Sequence, residues 1–312
     1  MSFGALSMKF SRLVCGLFAA AALTSSSMAM AEDYNVFLIT MDQNDQHWVR
    51  VNAGAAKAAE ELGNVKLQWN APDLKDDAKQ IEVINNAVAA GADVLLLAAN
   101  GPTAVTAALK EASSQGVKII YVDSPADFPG LKTFATDNLA AGTTAGQKLI
   151  ETLQKNGVEE GRIGIVGVNA ATNSTVNREL GFRKAFEGTK YEILPTQYSD
   201  GDTAKAKDIA ANYFNQGCVA VFGTNEGSSV GAGNAVKEFG EGVYAVGFDK
   251  SNMILSLVRG GQLSAVMAQN PEVMGYEGVK AAVAAMEGKD LGEKYVDTGV
   301  SVITKKNMAD FL

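Results

Sequence analysis

Two stretches of this 312-residue chain carry the same polar residues at matching positions. The segment GADVLLLAANGPTAVTAALKEASSQGVKIIYVD contains Asn100 and ends at Asp123, and GCVAVFGTNEGSSVGAGNAVKEFGEGVYAVGFD contains Asn225 and ends at Asp249. In each copy an apolar strand runs into the Asn, a turn and an Ala/Val-rich helix follow, and a second apolar strand runs into the Asp. A carboxylate accepts hydrogen bonds from neighbouring hydroxyls, and an amide both donates and accepts. The residues therefore suit a polyhydroxylated ligand.

Further polar residues follow other predicted strands. They are Asn44 and Asp45 near the start and Gln269 near the end, and the rings of His47 and Trp48 come directly after the first pair. Ligands of open parallel sheets bind outside the carboxyl ends of the strands, so we expect these side chains to converge on one edge. Taken singly, each polar residue also fits a helix cap or a turn, and Trp48 alone fits a core.

Strand-like and helix-like runs alternate along the chain, which predicts parallel sheets with helices on both faces. The predicted strands span residues 36–40, 65–69, 94–98, 118–122, 163–168, 191–195, 219–222, 243–247 and 263–268. The predicted fold is α/β, with two similar doubly wound parallel-sheet lobes joined by a multi-crossing hinge. We place the N-terminal lobe at residues 32–136 plus 270–298 and the C-terminal lobe at 137–269 plus 299–312. The ligand would lie in the cleft between them.

The first 31 residues are typical of a cleaved secretory signal peptide. Lys9 and Arg12 precede the apolar run 13–23, and an A-x-A site ends at Ala31. Met8 offers an alternative start, and the rival interpretations are a membrane anchor or a buried helix. Cleavage predicts a periplasmic protein. It removes two of the 27 basic residues and none of the 35 acidic ones, which leaves a net charge of −10. Such a charge argues against nucleic acid as a partner and against an anionic membrane surface.

Sequence motifs for catalysis and for metal or cofactor binding are weak or missing. A G-x-S-x-G string contains Ser229, but His47, the single histidine of the chain, lies far upstream and no later base follows. We interpret that string as a turn that caps a helix. The acidic start of a calcium loop at Asp200 lacks its twelfth-position acid and also predicts a cap. Cys218 opens an apolar strand and predicts a buried, inert thiol. We expect no enzyme activity, no cofactor and no metal.

The chain resembles the type I periplasmic sugar-binding proteins of the ribose/galactose-binding family, which feed ABC transporters. The similarity runs from Tyr34 to the end. It rests on QNDQHWVRVNAGAAKAAEELG, DDAKQIEVINNAVAAGADVLLLAAN, YVDSP, TFATDN, NRELGF, AVFGTNEGSSVGA, AVGFDKS, LSAVMAQNPEVMG and DTGVSVITKKN. The resemblance implies a monomeric receptor that closes on a sugar and delivers it to an ABC permease. A chemoreceptor is a further partner that it allows.

The resemblance also assigns ligand contacts to individual positions. They are Asp45, His47, Trp48, Asp123, Asn225, Asp249 and Gln269, to which we add Asn44 and Arg178. Ribose-binding members carry an Arg where this chain has Ser124, a second Arg where it has Val176, and an aromatic ring where it has Ser199. The resemblance therefore implies an acid-rich pocket without a clear cation, which disfavours ribose, sugar acids and sugar phosphates. It favours a neutral monosaccharide or a polyol. A furanone signal, a nucleoside or an amino-bearing ligand is the alternative.

Overall fold

The computed structural model describes residues 33–311, so the predicted signal peptide lies outside the described residues. In chain order the elements are β1 (Tyr34–Ile39), α1 (Gln46–Leu62), β2 (Val65–Asn70), α2 (Asp77–Ala89), β3 (Val94–Leu97), α3 (Thr106–Ser114), β4 (Lys118–Val122), β5 (Thr133–Ala135), α4 (Asn138–Lys155), β6 (Gly161–Gly167), α5 (Asn173–Ala185), β7 (Tyr191–Ile193), β8 (Gln197–Tyr198), α6 (Thr203–Asn215), β9 (Cys218–Gly223), α7 (Glu226–Phe239), β10 (Tyr244–Phe248), α8 (Asn252–Gly260), β11 (Ala265–Gln269), α9 (Pro271–Met286), β12 (Tyr295–Asp297), β13 (Val300–Ile303) and a final 3-10 turn (Met308–Phe311).

These elements form two lobes, each built on one sheet. The sheet of lobe one has the order β12-β5-β4-β3-β1-β2 and is parallel throughout. The sheet of lobe two has the order β13-β11-β10-β9-β6-β7, with β8 also paired to β6; its strands are parallel except β13, which runs antiparallel to β11. The predicted α/β fold with two similar lobes is thereby confirmed.

Helices cover both faces of each sheet and enclose four apolar clusters. In lobe one, α1 and α9 pack on one face and α2 and α3 on the other. In lobe two, α4 and α5 cover one face and α6, α7 and α8 the other. The central strands are apolar on both faces, as fully covered parallel strands must be, and β3 is buried along its whole length. No helix among residues 33–311 is both long and apolar enough to span a bilayer.

The chain passes between the two sheets three times. It leaves lobe one after β5, returns after β11 and leaves again between β12 and β13. Hydrogen bonds connect these passages, because Thr298 N donates to Ala135 O at 2.8 Å, Asn270 Nδ2 to Thr298 O at 2.7 Å, and Thr136 Oγ1 to Gln269 Oε1 at 2.9 Å. The predicted domain boundaries fall close to these passages and stay a prediction.

Four short strands escape the sequence-based prediction of nine strands. They are β5, β8, β12 and β13, which have between two and four residues each. Such lengths are too short for a periodic apolar pattern to develop. Their pairing depends on neighbouring strands far away in sequence, as when β12 adds to β5. Cys218 is buried and not in a disulfide, as predicted.

Candidate functional site

A narrow cavity lies between the lobes, at the carboxyl ends of the central strands. Eight of the nine predicted site residues line it. The lining consists of Met41, Asp45, His47, Trp48, Lys75, Asp123, Val168, Thr172, Ser174, Thr175, Arg178, Asn225, Asp249 and Gln269. Both lobes therefore contribute polar side chains to one cavity, although the role of these residues as ligand contacts stays a prediction.

Asp123 and Asp249 occupy equivalent places in the two lobes. Each directly follows a buried strand and adopts a left-handed backbone conformation, with φ of 61° and 73°, which Asp tolerates better than most residues. The N–H of Asp123 donates to Phe134 O at 2.8 Å, and that of Asp249 donates to Met267 O at 2.9 Å. In both cases the acceptor belongs to the next strand of the same sheet. The sequence repeat is thus also a repeat of backbone geometry that turns two carboxylates toward the cleft.

His47 lies between these two carboxylates. Its Nε2 is 3.0 Å from Asp123 Oδ2, and its Nδ1 is 3.6 Å from Asp249 Oδ1. Burial alone would lower the pKa of His47, but the neighbouring carboxylates of Asp123 and Asp249 outweigh it and raise the pKa. Burial would likewise raise the pKa of Asp123, but His47 and Arg178 lower it on balance. The His47 imidazole therefore lies between two carboxylates that come from different lobes.

Trp48 and Gln269 complete the wall near His47. The Trp48 ring meets that of His47 edge to face at 4.6 Å between centroids. Gln269, at one of the passages between lobes, donates from Nε2 to Asp249 Oδ1 at 2.6 Å and accepts from Thr136 at its Oε1. Its amide orientation is thereby fixed, because each end has a defined partner.

Arg178 is buried and reaches the cavity from α5. Its Nε donates to Asn138 Oδ1 at 2.8 Å and its Nη1 to Thr224 O at 2.9 Å. Its guanidinium carbon lies 4.3 Å from the centroid of the Phe248 ring. The remaining Nη2 is buried without a hydrogen-bond partner, 3.9 Å from Asp123 Oδ2. A donor held in this way is available to an oxygen of a ligand.

Lys75 was missed by the sequence-based prediction. It lies in the loop between β2 and α2, and its side chain is only 6% exposed. Its ammonium contacts Asp42 Oδ2 and lies 2.8 Å from Asp45 Oδ2. Burial would lower the pKa of Lys75, but the two carboxylates raise it on balance. Together with Arg178, this lysine corrects the expectation of a pocket without a clear cation.

Asp42 accepts hydrogen bonds from both Asp45 and Trp48. Asp42 Oδ1 accepts from the backbone N–H groups of Asn44 and Asp45 at 2.7 and 3.0 Å, and Asp42 Oδ2 accepts from Trp48 Nε1 at 3.2 Å. Asn44 itself does not line the cavity. It is exposed, and its side chain donates to Asp73 O at 3.0 Å, so its amide is directed to the outside of the loop.

The second lobe supplies Asn225 at the start of α7. Its Oδ1 accepts from Ser228 N at 3.1 Å and forms a reciprocal capping box, while its Nδ2 is buried without a partner. The next residue, Glu226, is buried as well. Burial first, and then the charges of Asp249 and Asp45, raise its pKa to about 7. One end of the Asn225 amide therefore stabilises the helix, and the other is left for a ligand.

The alternative interpretations of the catalytic and metal motifs do not find support in the geometry. Ser229 lies inside α7, where its hydroxyl donates to Asn225 O at 2.7 Å and accepts from Phe248 N at 2.8 Å. Asp202 caps α6 by accepting from Lys205 N at 2.7 Å, as predicted for that turn. Ser199, where ribose binders have a ring, is fully buried and donates to Gly167 O. Among residues 33–311 no cluster of His, Cys, Asp or Glu could hold a metal ion.

Comparison with known proteins places the chain in a family. The family model described as a periplasmic binding protein domain matches residues 36–290. The chain belongs to this family. The ribose import binding protein of Haemophilus influenzae is 30% identical over 275 residues, which cover 87% of this chain and 92% of that protein.

Two solved structures show the same architecture. A carbohydrate transporter solute-binding protein from Agrobacterium radiobacter, in complex with D-arabinose, has a TM-score of 0.85 at 29% identity and covers 91% of this chain and 97% of its own. An ABC transporter solute-binding protein from Agrobacterium vitis, bound with alpha-D-tagatopyranose, has a TM-score of 0.84 at 26% identity and covers 89% and 97%. Periplasmic binding protein domains of this kind bind solutes and are not enzymes.

Proposed function

We propose that this protein is a periplasmic receptor that captures a neutral monosaccharide or a related polyol and delivers it to an ABC permease. The observation that carries the proposal is the pair of equivalent carboxylates, Asp123 and Asp249, which reach one cavity from opposite lobes. Two adjacent hydroxyls of a sugar suit each carboxylate, because charge-assisted hydrogen bonds are short and strong in a buried site. The sugars bound by the similar structures favour this ligand class over a furanone or a nucleoside.

The charges of the cavity wall support a neutral ligand. The carboxylates of Asp45, Asp123 and Asp249 are accompanied by the cations Lys75 and Arg178 and by the imidazole of His47, whose pKa is raised by two of these carboxylates. A buried charge that a ligand brings without a partner costs several kcal/mol. Because the carboxylates of the wall already contact these groups, a neutral polyol needs no further counter-charge, whereas a phosphate or a carboxylate would.

Two buried hydrogen-bond donors without partners indicate that a ligand would supply acceptor oxygens. Arg178 Nη2 and Asn225 Nδ2 are both buried in lobe two without hydrogen-bond partners. A ring oxygen or a hydroxyl oxygen would satisfy them, while the hydroxyl hydrogens donate to the carboxylates. A sugar ring offers both kinds of group around its edge, and the apolar face of the ring would pack on Trp48.

Capture would proceed by closure of the lobes. Lobe one contributes Asp45, His47, Trp48 and Asp123, and lobe two contributes Arg178, Asn225 and Asp249. A ligand that contacts both sets binds the closed form better than the open form and shifts the population toward it. The three passages between the lobes would act as the hinge, and a permease would recognise the closed form. The ligand leaves chemically unchanged, since we propose no catalytic step.

The test is a thermal-shift screen of the mature protein against pentoses, hexoses, polyols, amino sugars, nucleosides and a furanone. A ligand that binds only the folded state at 100 times its Kd stabilises the protein by about 2.7 kcal/mol. We expect a neutral sugar or polyol to give the largest rise in Tm, and NMR to show it unaltered after incubation. A screen in which no sugar or polyol raises the Tm, or in which the sugar is converted to a product, would overturn the proposal.

A further inference from the structure

Lys75 is placed where the two lobes meet, at the edge of the ligand cavity. It and Asp45 line both the inner cavity and a larger cavity outside it, whose wall includes Gly201 of lobe two. Lys75 belongs to lobe one, because its loop joins β2 and α2. Its ammonium is held there by Asp42 and Asp45. Within the described residues it is the one lysine that lines the inner cavity.

Across the cleft, the backbone of Gly201 approaches this side chain closely. A Cβ atom built on Gly201 would lie 2.8 Å from Lys75 Nζ and 3.0 Å from Lys75 Cδ. Real Cβ atoms essentially never come within 3.0 Å of another heavy atom, so a side chain at position 201 would require the Lys75 side chain to shift.

Both partners of this contact are held firmly. Asp200 and Gly201 form a tight turn with φ of 55° and 80°, closed by Asp202 N donating to Ser199 O at 3.0 Å. Asp200 N also donates to Val168 O at 2.8 Å, which ties the turn to the sheet of lobe two. On the other side, the Lys75 ammonium is held by the buried Asp42 and the half-buried Asp45, and a shift away from Gly201 strains these two contacts, which cost more to break than a surface ion pair.

We propose that Lys75 is a positioning residue of the ligand site that couples the Asp45 carboxylate to closure of the lobes through its contact with Gly201. In lobe one, its ammonium orients Asp45 toward the ligand and supports the loop to which Trp48 is hydrogen-bonded. In lobe two, Gly201 has no side chain, and its backbone can therefore approach Lys75 when the lobes are closed. The inference deepens the proposed function and rests on it for the identity of the ligand.

The first test replaces Gly201 by Ala and uses Gly188→Ala as a matched control. Both glycines have positive φ, 80° and 75°, so both variants strain the backbone, but nothing lies within 4 Å of a Cβ at Gly188. We expect Gly201→Ala to lower the affinity for the sugar found in the screen at least tenfold by isothermal titration calorimetry, and Gly188→Ala to leave it within twofold. Equal affinities of the two variants would overturn the proposal.

The second test removes the lysine side chain. If the clash with Lys75 is what disturbs closure, Gly201→Ala should cause less than a threefold loss of affinity in a Lys75→Ala background. Lys75→Ala alone should weaken binding about tenfold, Lys75→Arg should recover part of that loss, and Lys79→Ala, which removes an exposed lysine of the same region, should have no effect. An undiminished Gly201→Ala penalty in the Lys75→Ala background contradicts the coupling.

Small-angle X-ray scattering separates this inference from the proposed function. With the best ligand of the screen, of whatever class, at about ten times the wild-type Kd, we expect Gly201→Ala to have a larger radius of gyration than Gly188→Ala, because the closed form is less populated. Equal radii would overturn the coupling. Wild-type protein that closes on a ligand other than a sugar or polyol, together with unequal radii, would overturn the proposed function and leave the coupling in place.

Discussion

The strand ends at Asp123 and Asp249 have the same backbone but different neighbours. Both residues have positive φ and both donate their N–H to the next strand. The Asp123 carboxylate, however, faces His47 at 3.0 Å and the Arg178 guanidinium at 3.9 Å, whereas Asp249 accepts from the neutral amide of Gln269 at 2.6 Å and lies farther from His47. The first carboxylate lies beside an imidazole and a guanidinium cation, and the second is oriented by an amide.

The paired asparagines differ even more. Asn100 is buried in lobe one, where its Nδ2 donates to Asp77 Oδ1 and its backbone N–H donates to Gln80 Oε1. Asn225 caps α7 with its side-chain Oδ1, and its Nδ2 is buried without a hydrogen-bond partner. The same sequence position thus serves the structure in one lobe and faces the cavity in the other. The sequence repeat gives the two lobes equivalent residue positions around the cleft. The neighbouring side chains determine whether the residue at such a position stabilises the fold or faces the cavity.

The largest effect that we expect comes from comparing Asp123→Ala with Asp249→Ala. Each should lower the sugar affinity about 100-fold, since hydrogen bonds to a charged group contribute about 1.5 to 3 kcal/mol each. Asp123→Ala removes the carboxylate beside the buried Arg178 guanidinium, and removing one partner of a buried pair costs about 3 to 5 kcal/mol of folding stability. Asp249→Ala should cost less, because Asp249 accepts its hydrogen bond from the neutral amide of Gln269, which retains its bond to Thr136.

Calorimetric titration measures the affinities, and urea denaturation measures the free energies of unfolding. Equal losses of stability in the two variants would show that the partners of the two carboxylates do not differ in the way the distances indicate. Unchanged affinity in both variants would remove the two residues from the ligand site.

A second difference follows directly after the two asparagines, where lobe one has Gly101 and lobe two has Glu226. A Cβ at Gly101 would lie 2.4 Å from Asp77 Oδ2, so lobe one has no room for a side chain there. The pKa of Glu226 is raised from its ordinary value of 4.5 to about 7, by burial first and then by Asp249 and Asp45. Between these pH values the unfolded chain releases the proton while the folded protein retains it, so stability falls as the pH rises.

Glu226→Gln should therefore stabilise the protein at pH 8 and have little effect at pH 4. The expected gain at pH 8 is about 1 to 3 kcal/mol, since each unit of pKa shift corresponds to about 1.4 kcal/mol. Urea denaturation across this pH range measures it, with Glu241→Gln on the exposed surface as the control. A gain that is the same at both pH values would contradict an ionised, buried Glu226.

Much of this molecule was predictable from its sequence. Alternating apolar runs predict the two covered sheets, because strands buried on both faces leave a clear pattern. The repeat predicts that Asp123, Asn225 and Asp249 reach one edge, because strand order fixes where their backbones lie. The partners of these residues were not predictable. The position of Lys75 in a polar loop carries no periodic signal, and the folded chain alone brings it to Asp42 and Asp45. The same is true of Asn44, which is adjacent to a cavity residue but directed away from it.

The smallest effect that we expect comes from comparing Asn225→Ser with Asn100→Ser. Serine caps a helix about as well as asparagine, so Asn225→Ser retains the cap of α7 and removes the unpartnered Nδ2 donor. We expect the sugar affinity to fall about tenfold, which corresponds to the roughly 1.4 kcal/mol of one hydrogen bond, with Tm nearly unchanged. Asn100→Ser should act mainly on the fold: it breaks the contact with Asp77, lowers the Tm by a few degrees and reduces the affinity less than Asn225→Ser does, through the loss of its contact with Asn169 of lobe two. If both variants weaken binding equally, the two positions share one role, and the division between a structural and a cavity-facing asparagine is wrong.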